Sequence, residues 1–222
     1  MLCRAQQRQE SKPLAELRLH LVSSLPGKPH SVPEVAWLSP HPGTPAVHFS
    51  SHGRYTLLQK NRMFTPHLLV IPVGSAVQFP NADPFFHNVF SLFDGKRFDL
   101  GLYEAGSSKS VIFSKEGYSY IFCNIHPEMS AVIVALSSPL YSIGGPDNSF
   151  AIQNIPTGDY DLHVWIEGVP DSMLAQLVRH VHLESAATDI GAIKAPIPAV
   201  RAGSHTDMYG RSYNDETPPP IY

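Results

Sequence analysis

Cys123-Asn124-Ile125-His126-Pro127-Glu128-Met129 gathers a thiolate, an imidazole and a thioether into one short stretch. Before it, Tyr118-Ser119-Tyr120-Ile121-Phe122 reads as a strand. After it, Ala131-Val132-Ile133-Val134-Ala135-Leu136 is a nearly unbroken apolar run that suits a core strand. The turn between them is tight, and Pro127 stiffens it. In a sandwich, such a turn converges with a loop at the same end of the opposite sheet, so distant side chains meet there.

Two His, one Cys and a weak Met are the donors of a mononuclear type 1 copper site. The stretch supplies Cys123, His126 and Met129. The second imidazole is expected at His87, in Phe85-Phe86-His87-Asn88-Val89-Phe90. The nearest alternative is His67, which follows Pro66 at the mouth of a strand. A lone Cys is commonly a buried core thiol, but the neighbours of Cys123 argue against that fate. These soft or borderline donors suit copper far better than Mg or Ca, and the Met disfavours a structural zinc site. A rigid turn limits ligand rearrangement between the two copper oxidation states, as an electron carrier needs.

Asn88 is either an ordinary turn residue or a tie whose amide reaches the backbone beside Cys123 and joins the two ligand loops. Phe85, Phe86, Pro84 and Pro127 would ring the ligand end with apolar surface, which excludes water and offers a partner a docking face. For the two phenylalanines the competing role is plain core packing.

Outward from this centre the texture is β throughout. Tyr55-Thr56-Leu57-Leu58-Gln59, Leu68-Leu69-Val70-Ile71 and Ala76-Val77-Gln78-Phe79 are strand-like, and Gly74-Ser75 marks a turn. Asp94-Gly95 is a strong hairpin signal. Upstream, Leu17-Arg18-Leu19-His20-Leu21-Val22 alternates as a half-buried strand, and Val35-Ala36-Trp37-Leu38 follows a Pro- and Gly-rich turn. Downstream, Tyr141-Ser142-Ile143, Ser149-Phe150-Ala151-Ile152 and Tyr160-Asp161-Leu162-His163-Val164-Trp165 are strands, with two more expected over 177–183 and 188–193. Asp171 could cap a single helical turn within 169–176. The reading is all-β.

The chain has 222 residues, 43% of them hydrophobic, enough for one large or two small cores. Pro (21) and Gly (15) are frequent, as in sandwiches of many short strands. A formal net charge of -3 favours neither nucleic acid nor an anionic membrane surface. The two cysteines, Cys3 and Cys123, exclude a disulfide framework. No stretch is long enough to span a membrane. Residues 1–13 lack the apolar core of a secretory signal, so the expectation is that the chain is cytoplasmic, begins after its signal, or begins from a wrongly placed start.

Residues 61–136 resemble a cupredoxin of the plastocyanin/azurin family. The resemblance rests on Gly74-Ser75-Ala76-Val77-Gln78-Phe79-Pro80-Asn81, His87-Asn88-Val89, Gly117-Tyr118-Ser119-Tyr120-Ile121-Phe122-Cys123 and His126-Pro127-Glu128-Met129. The Cys-x-x-His-x-x-Met loop is similar to the short form of amicyanins, whereas plastocyanins have a longer His-to-Met gap. The resemblance implies a Greek-key β-sandwich with one type 1 copper ion, His87, Cys123 and His126 as equatorial ligands and Met129 as the axial one. It also implies single-electron exchange with a redox protein partner, an exit at the exposed edge of His126, and a periplasmic location. The whole chain is similar to bacterial proteins described as methylamine-utilisation or plastocyanin-like.

Phe150-Ala151-Ile152-Gln153-Asn154-Ile155-Pro156-Thr157-Gly158-Asp159-Tyr160-Asp161-Leu162 is similar to the end of carboxypeptidase-regulatory-like sandwiches, which are immunoglobulin-like. Residues 17–38, with Gly27-Lys28-Pro29, fit their opening, while Gly145-Pro146-Asp147-Asn148-Ser149 departs from the usual pattern. The expected organisation is a flexible tail (1–14), the first strands of this flanking sandwich (15–58), the cupredoxin domain (59–136), the rest of the flanking sandwich (137–195) and a C-terminal tail (196–222).

Three other functions compete with the electron carrier. Copper buffering or delivery needs the same ligands. A copper oxidase or nitrite reductase needs further His pairs. His180 and His182 alternate on one strand face, but no matching His-x-His occurs elsewhere, and no Ser-His-Asp order, phosphate loop or paired-carboxylate site stands out, so the chain does not read as an enzyme. A flanking sandwich that is itself the functional part would leave the complete ligand set unexplained. His41, His48 and His52 read as surface loop histidines without ligand spacing, and Asp94, Asp99 and Glu104 as solvated charges.

Overall fold

A computed structural model of the chain describes residues 14–23, 32–92, 95–184 and 186–196. Cys3, the Gly27-Lys28-Pro29 turn, Asp94 and the two expected tails beyond these limits lie outside the described residues. The chain is all-β, with one single-turn α-helix and a 3-10 turn directly after it among the described residues, and divides into two units. Among the described residues, one contains those from 14 to 47 and from 140 to 196; the other contains those from 48 to 139.

The first unit begins with β1 (Leu14–Ser23) and β2 (Glu34–Pro40). β1 buries Ala15, Leu17, Leu19 and Leu21 and turns Arg18 and His20 outward, the period of two that a half-covered strand requires.

The second unit follows as β3 (Arg54–Thr56), β4 (Leu58–Lys60), β5 (Met63–Thr65), β6 (Leu68–Pro72), β7 (Ala76–Pro80), β8 (His87–Ser91), β9 (Phe98–Tyr103), β10 (Ser108–Ile112), β11 (Gly117–Phe122) and β12 (Ser130–Leu136). One sheet has the order β6-β12-β11-β8-β9 and another β10-β7-β3, with β4 and β5 as a separate hairpin. β12 is buried from Ala131 to Leu136 because it lies inside its sheet, parallel to β6 and antiparallel to β11. Between the sheets pack Leu57, Val77, Phe79, Phe113, Ile121 and Ile133. Burying each such side chain stabilises the unit by about 1.5–3 kcal/mol. Cys123 and Met129 belong to the same cluster, so the metal-donor stretch is anchored in the core.

Two features of this unit differ from the sequence expectation. β3 pairs in parallel with β7, Arg54 to Ala76 through Thr56 to Gln78, which draws residues 48–58 into this unit rather than into the 15–58 segment. The hairpin β4–β5 was not foreseen. Its turn places Asn61 and Arg62 at φ 55° and 56°, a left-handed pair normally signalled by Gly. Here a buried carboxylate replaces that signal: Asp83 accepts the Asn61 amide at 2.7 Å and the Arg62 amide at 3.0 Å.

The chain then returns to the first unit with β13 (Tyr141–Ile143), β14 (Ser149–Pro156), β15 (Gly158–Ile166), α1 (Asp171–Leu174), β16 (Arg179–Leu183) and β17 (Ala187–Ala195). Its sheets run β14-β1-β17 and β13-β2-β15-β16. Strands from before and after the second unit therefore share both sheets. Leu17, Leu38, Ile155, Tyr160, Leu162 and Trp165 form fully buried parts of its interior. Asp171 does not cap α1. Pro170 occupies the N-cap, no side chain caps it, and Asp171 is the first helical residue, where its charge still complements the helix dipole.

Candidate metal centre

His87 opens β8 and is fully buried. The loop before it is tied internally: Asn81 Nδ2 donates to the Phe85 carbonyl at 2.7 Å, and the Asp83 amide donates to Asn81 Oδ1 at 3.0 Å. This fixes Asp83 Oδ2 at 2.9 Å from His87 Nε2. Burial alone raises the Asp83 carboxyl, but bonds from the Arg62 amide, the His87 ring and the Asn61 amide outweigh it and hold the group below its ordinary range. An ionised carboxylate only accepts, so the ring proton sits on Nε2. Nδ1 keeps its lone pair and faces Cys123 Sγ at 3.7 Å.

Cys123 follows directly on β11. Its amide donates to the Met129 carbonyl at 3.3 Å, and the Met129 amide donates to the His126 carbonyl at 3.0 Å, so the stretch closes on itself. Burial pushes the Cys123 thiol up, opposed by backbone N–H groups of Asn88, Ile125 and His126 that donate to its sulfur. His126 Nδ1 lies 3.5 Å from Sγ. One donor atom each from His87, Cys123 and His126 falls within 4.8 Å of the other two. Met129 is fully buried. His126 is half-buried, and its imidazole is shifted down, chiefly by burial.

Asn88 Oδ1 accepts the Asn124 amide at 3.3 Å, and its Nδ2 donates to Asp99 Oδ1 at 2.6 Å. Asp99 is exposed, as a solvated charge would be, but it also accepts the Gly101 amide at 2.8 Å and so braces Asn88. The Phe85 ring stands 5.3 Å from His87 and 5.5 Å from His126, with the two imidazoles 4.8 Å apart between centroids. Phe86 is 55% exposed and Ile125 45%, and Pro127 is exposed as well. The two phenylalanines thus part ways: Phe85 packs on the imidazoles and Phe86 faces solvent. His67 bonds instead to the Ser130 carbonyl at 3.0 Å and is outside the donor group. Asp83 was missed by the sequence reading. Its only signal is an acidic residue one helical turn's worth of sequence before His87, in a loop otherwise read as Pro-rich connection.

The donors fit a soft or borderline transition-metal ion. The sulfur sits among amide N–H groups that stabilise a thiolate, and one imidazole is held in the ligating tautomer by a carboxylate, the outer-sphere arrangement common to metal-bound histidines.

No family profile matches the chain, and no curated protein matches it. Among solved structures it is similar to a purple cupredoxin from Nitrosopumilus maritimus, at 24% identity over 38% of this chain and 99% of that one, TM-score 0.34. A Cu(I) form of an amicyanin variant matches at 17% identity over 37% of this chain and 82% of that one, TM-score 0.36. A reduced amicyanin variant matches at 19% identity over 39% and 85%, TM-score 0.36.

Proposed function

We propose that residues 48–139 form a cupredoxin-type unit in which His87, Cys123, His126 and Met129 would hold one type 1 copper ion, and that this unit passes single electrons to and from a redox protein. The observation that carries this reading is the buried convergence of Sγ with two Nδ1 atoms at 3.7 and 3.5 Å. A bound copper ion would supply one-electron chemistry between Cu(I) and Cu(II).

The chain's part is to keep the donors still. Asp83 fixes the His87 ring, and the closed 123–129 turn fixes the other donors. Full burial of His87, Cys123 and Met129 keeps water from the sulfur side. His126 is the half-exposed donor; its exposed chain neighbours Ile125 and Pro127, with Phe86, which is exposed and adjoins the Phe85 that packs on its ring, offer the apolar face on which a partner would dock. Among the described residues no helix is long and apolar enough to cross a membrane. The periplasm is the compartment this reading implies.

Absorption and EPR spectra of the copper-loaded protein test it. The expected result is an intense visible thiolate-to-Cu(II) band, a narrow copper hyperfine splitting and reversible bleaching by a one-electron reductant. Uptake of Cu(I) alone, or an oxidised protein without the band, overturns the carrier and leaves copper buffering or delivery.

A further inference from the structure

The first unit carries a second group of metal donors on the outer face of its four-stranded sheet. β15 lies between β2 and β16. The register sets Asp161 opposite His180 and Asp159 opposite His182. On the other side Tyr160 faces Pro40, and the His41 amide, one residue beyond β2, donates to the Asp159 carbonyl at 2.9 Å. The strand period decides which side chains point out. Tyr160, Leu162, Val181 and Leu183 are buried, so Asp159, Asp161, His180 and His182 stand on the solvent side.

There, one donor atom each from His41, Asp161 and His180 lies within 4.8 Å of the other two. The His41 and His180 rings meet edge to face at 4.8 Å. His180 Nδ1 is 3.5 Å from Asp161 Oδ1 and its Nε2 is 3.6 Å from Asp159 Oδ1. Asp159 in turn is bonded to His182 Nδ1 at 2.7 Å.

We propose that His41, Asp161 and His180 bind a divalent transition-metal ion of the borderline class, zinc(II) or copper(II), with Asp159 adding negative charge at the edge of the site. This inference stands apart from the buried centre and does not rest on it. Two imidazoles and a carboxylate, with no sulfur, match Zn(II) and Cu(II) and reject Cu(I), while the imidazoles disfavour Mg and Ca. Metal–ligand bonds of about 2.0–2.1 Å put tetrahedral donors roughly 3.4 Å apart, so the three groups must close by about an ångström. All three side chains are at least partly exposed and can do so by χ rotation without moving the strands. Three protein donors leave a coordination position for water or a further ligand. The ion would pin β2, which precedes the second unit in the chain, to β15 and β16, which follow it.

Zinc chloride titrated into the full chain, followed by calorimetry and by thermal unfolding, tests this. The expected result is one zinc equivalent that survives Cys123→Ser. It weakens by at least about 100-fold, the upper end of the cost of losing even an outer-sphere partner, in both His180→Gln and His41→Gln. The zinc-dependent rise in Tm, which follows from binding to the folded state, disappears with it. His48→Gln, an exposed histidine outside the group, leaves affinity unchanged. Equal weakening by His48→Gln, no weakening by either glutamine variant, or loss of the zinc with Cys123→Ser alone overturns the proposal. Unchanged circular dichroism of the variants shows that the sheet is intact.

Discussion

The two sandwiches treat the same kinds of side chain in opposite ways. In the unit of residues 48–139, His87 and Cys123 are sunk into the core and polar groups are directed at them: Asp83 onto Nε2, three amides onto Sγ. In the other unit, His41, His180 and His182 stand on the outer face of a sheet beside Asp159 and Asp161. The buried group combines sulfur with nitrogen and is braced for one geometry. The exposed group is oxygen and nitrogen on side chains that can rotate. Burial and donor softness together sort the ions that each can hold, although both are built from histidine on β-strands.

Cys123→Ser probes this contrast with the largest expected effect. Replacing the sulfur removes the donor of the visible charge transfer, so the copper-loaded variant should be colourless, while zinc affinity at the exposed group stays as in the wild type. The reciprocal variant, His180→Gln, should keep the full visible band. Spectra of both variants loaded with copper check the pair, and a His180→Gln protein that lost colour would collapse the distinction.

Buried carboxylates sharpen the comparison next. Asp83 and Glu34 are 5% and 2% exposed, one in each unit. Asp83 receives three hydrogen bonds and is shifted down; Glu34 is pushed up to about 7 by burial. The folded state therefore binds a proton on Glu34 that the unfolded chain, near 4.5, gives up. Stability of the first unit should fall as pH rises from about 4.5 to 7 and level off above, by up to about 3 kcal/mol. Both tryptophans, Trp37 and Trp165, belong to that unit, so urea unfolding followed by Trp fluorescence reports on it alone. Glu34→Gln should flatten the pH dependence and raise the urea midpoint at pH 8. A wild-type midpoint as high at pH 8 as at pH 5 would contradict the charge cost assigned to Glu34.

Asp83 should behave in the opposite sense, because its charge is used. Asp83→Ala frees the His87 ring and unpins the Asn61–Arg62 turn. Copper affinity should drop about 10–100-fold, the usual cost of removing the partner that orients a ligating histidine. Competition against a Cu(I) chelator measures this. Asp83→Asn, whose amide oxygen can still accept from Nε2, should lie between the two.

How far these groups could be read from the chain follows from how local each is. Cys123, His126 and Met129 share one turn, and His87 heads an apolar strand, so type and order alone bring them to notice. The sandwich texture was equally plain, because alternation in β1 and the apolar run of β12 are local patterns. Asp83 acts through a hairpin turn more than twenty positions upstream whose φ values no Gly announces, and its bond to His87 exists only once β4, β5 and the 81–86 loop are in place. His41 is more remote still. It reads as a loop histidine until β2 and β15 pair across the whole second unit, which sets it beside His180. Asp171 erred the other way: its residue type suits an N-cap, but Pro170 already holds that place with extended backbone, φ -64° and ψ 147°.

Asn88 offers the finest cut, because its backbone and side chain do different things. The backbone N–H donates to the Cys123 sulfur, while the side chain ties Asn124 to Asp99 through bonds of 3.3 and 2.6 Å. Asn88→Ala deletes the tie and leaves the donation to sulfur. The visible band should therefore keep its position. Stability of the second unit should fall by roughly 1–2 kcal/mol, the net worth of two hydrogen bonds in partly buried surroundings. Thermal bleaching of the copper-loaded protein measures both at once, since the band's wavelength reports the sulfur environment and its midpoint the loop. A shifted band with an unchanged midpoint would mean that the side chain acts on the sulfur rather than on the loops.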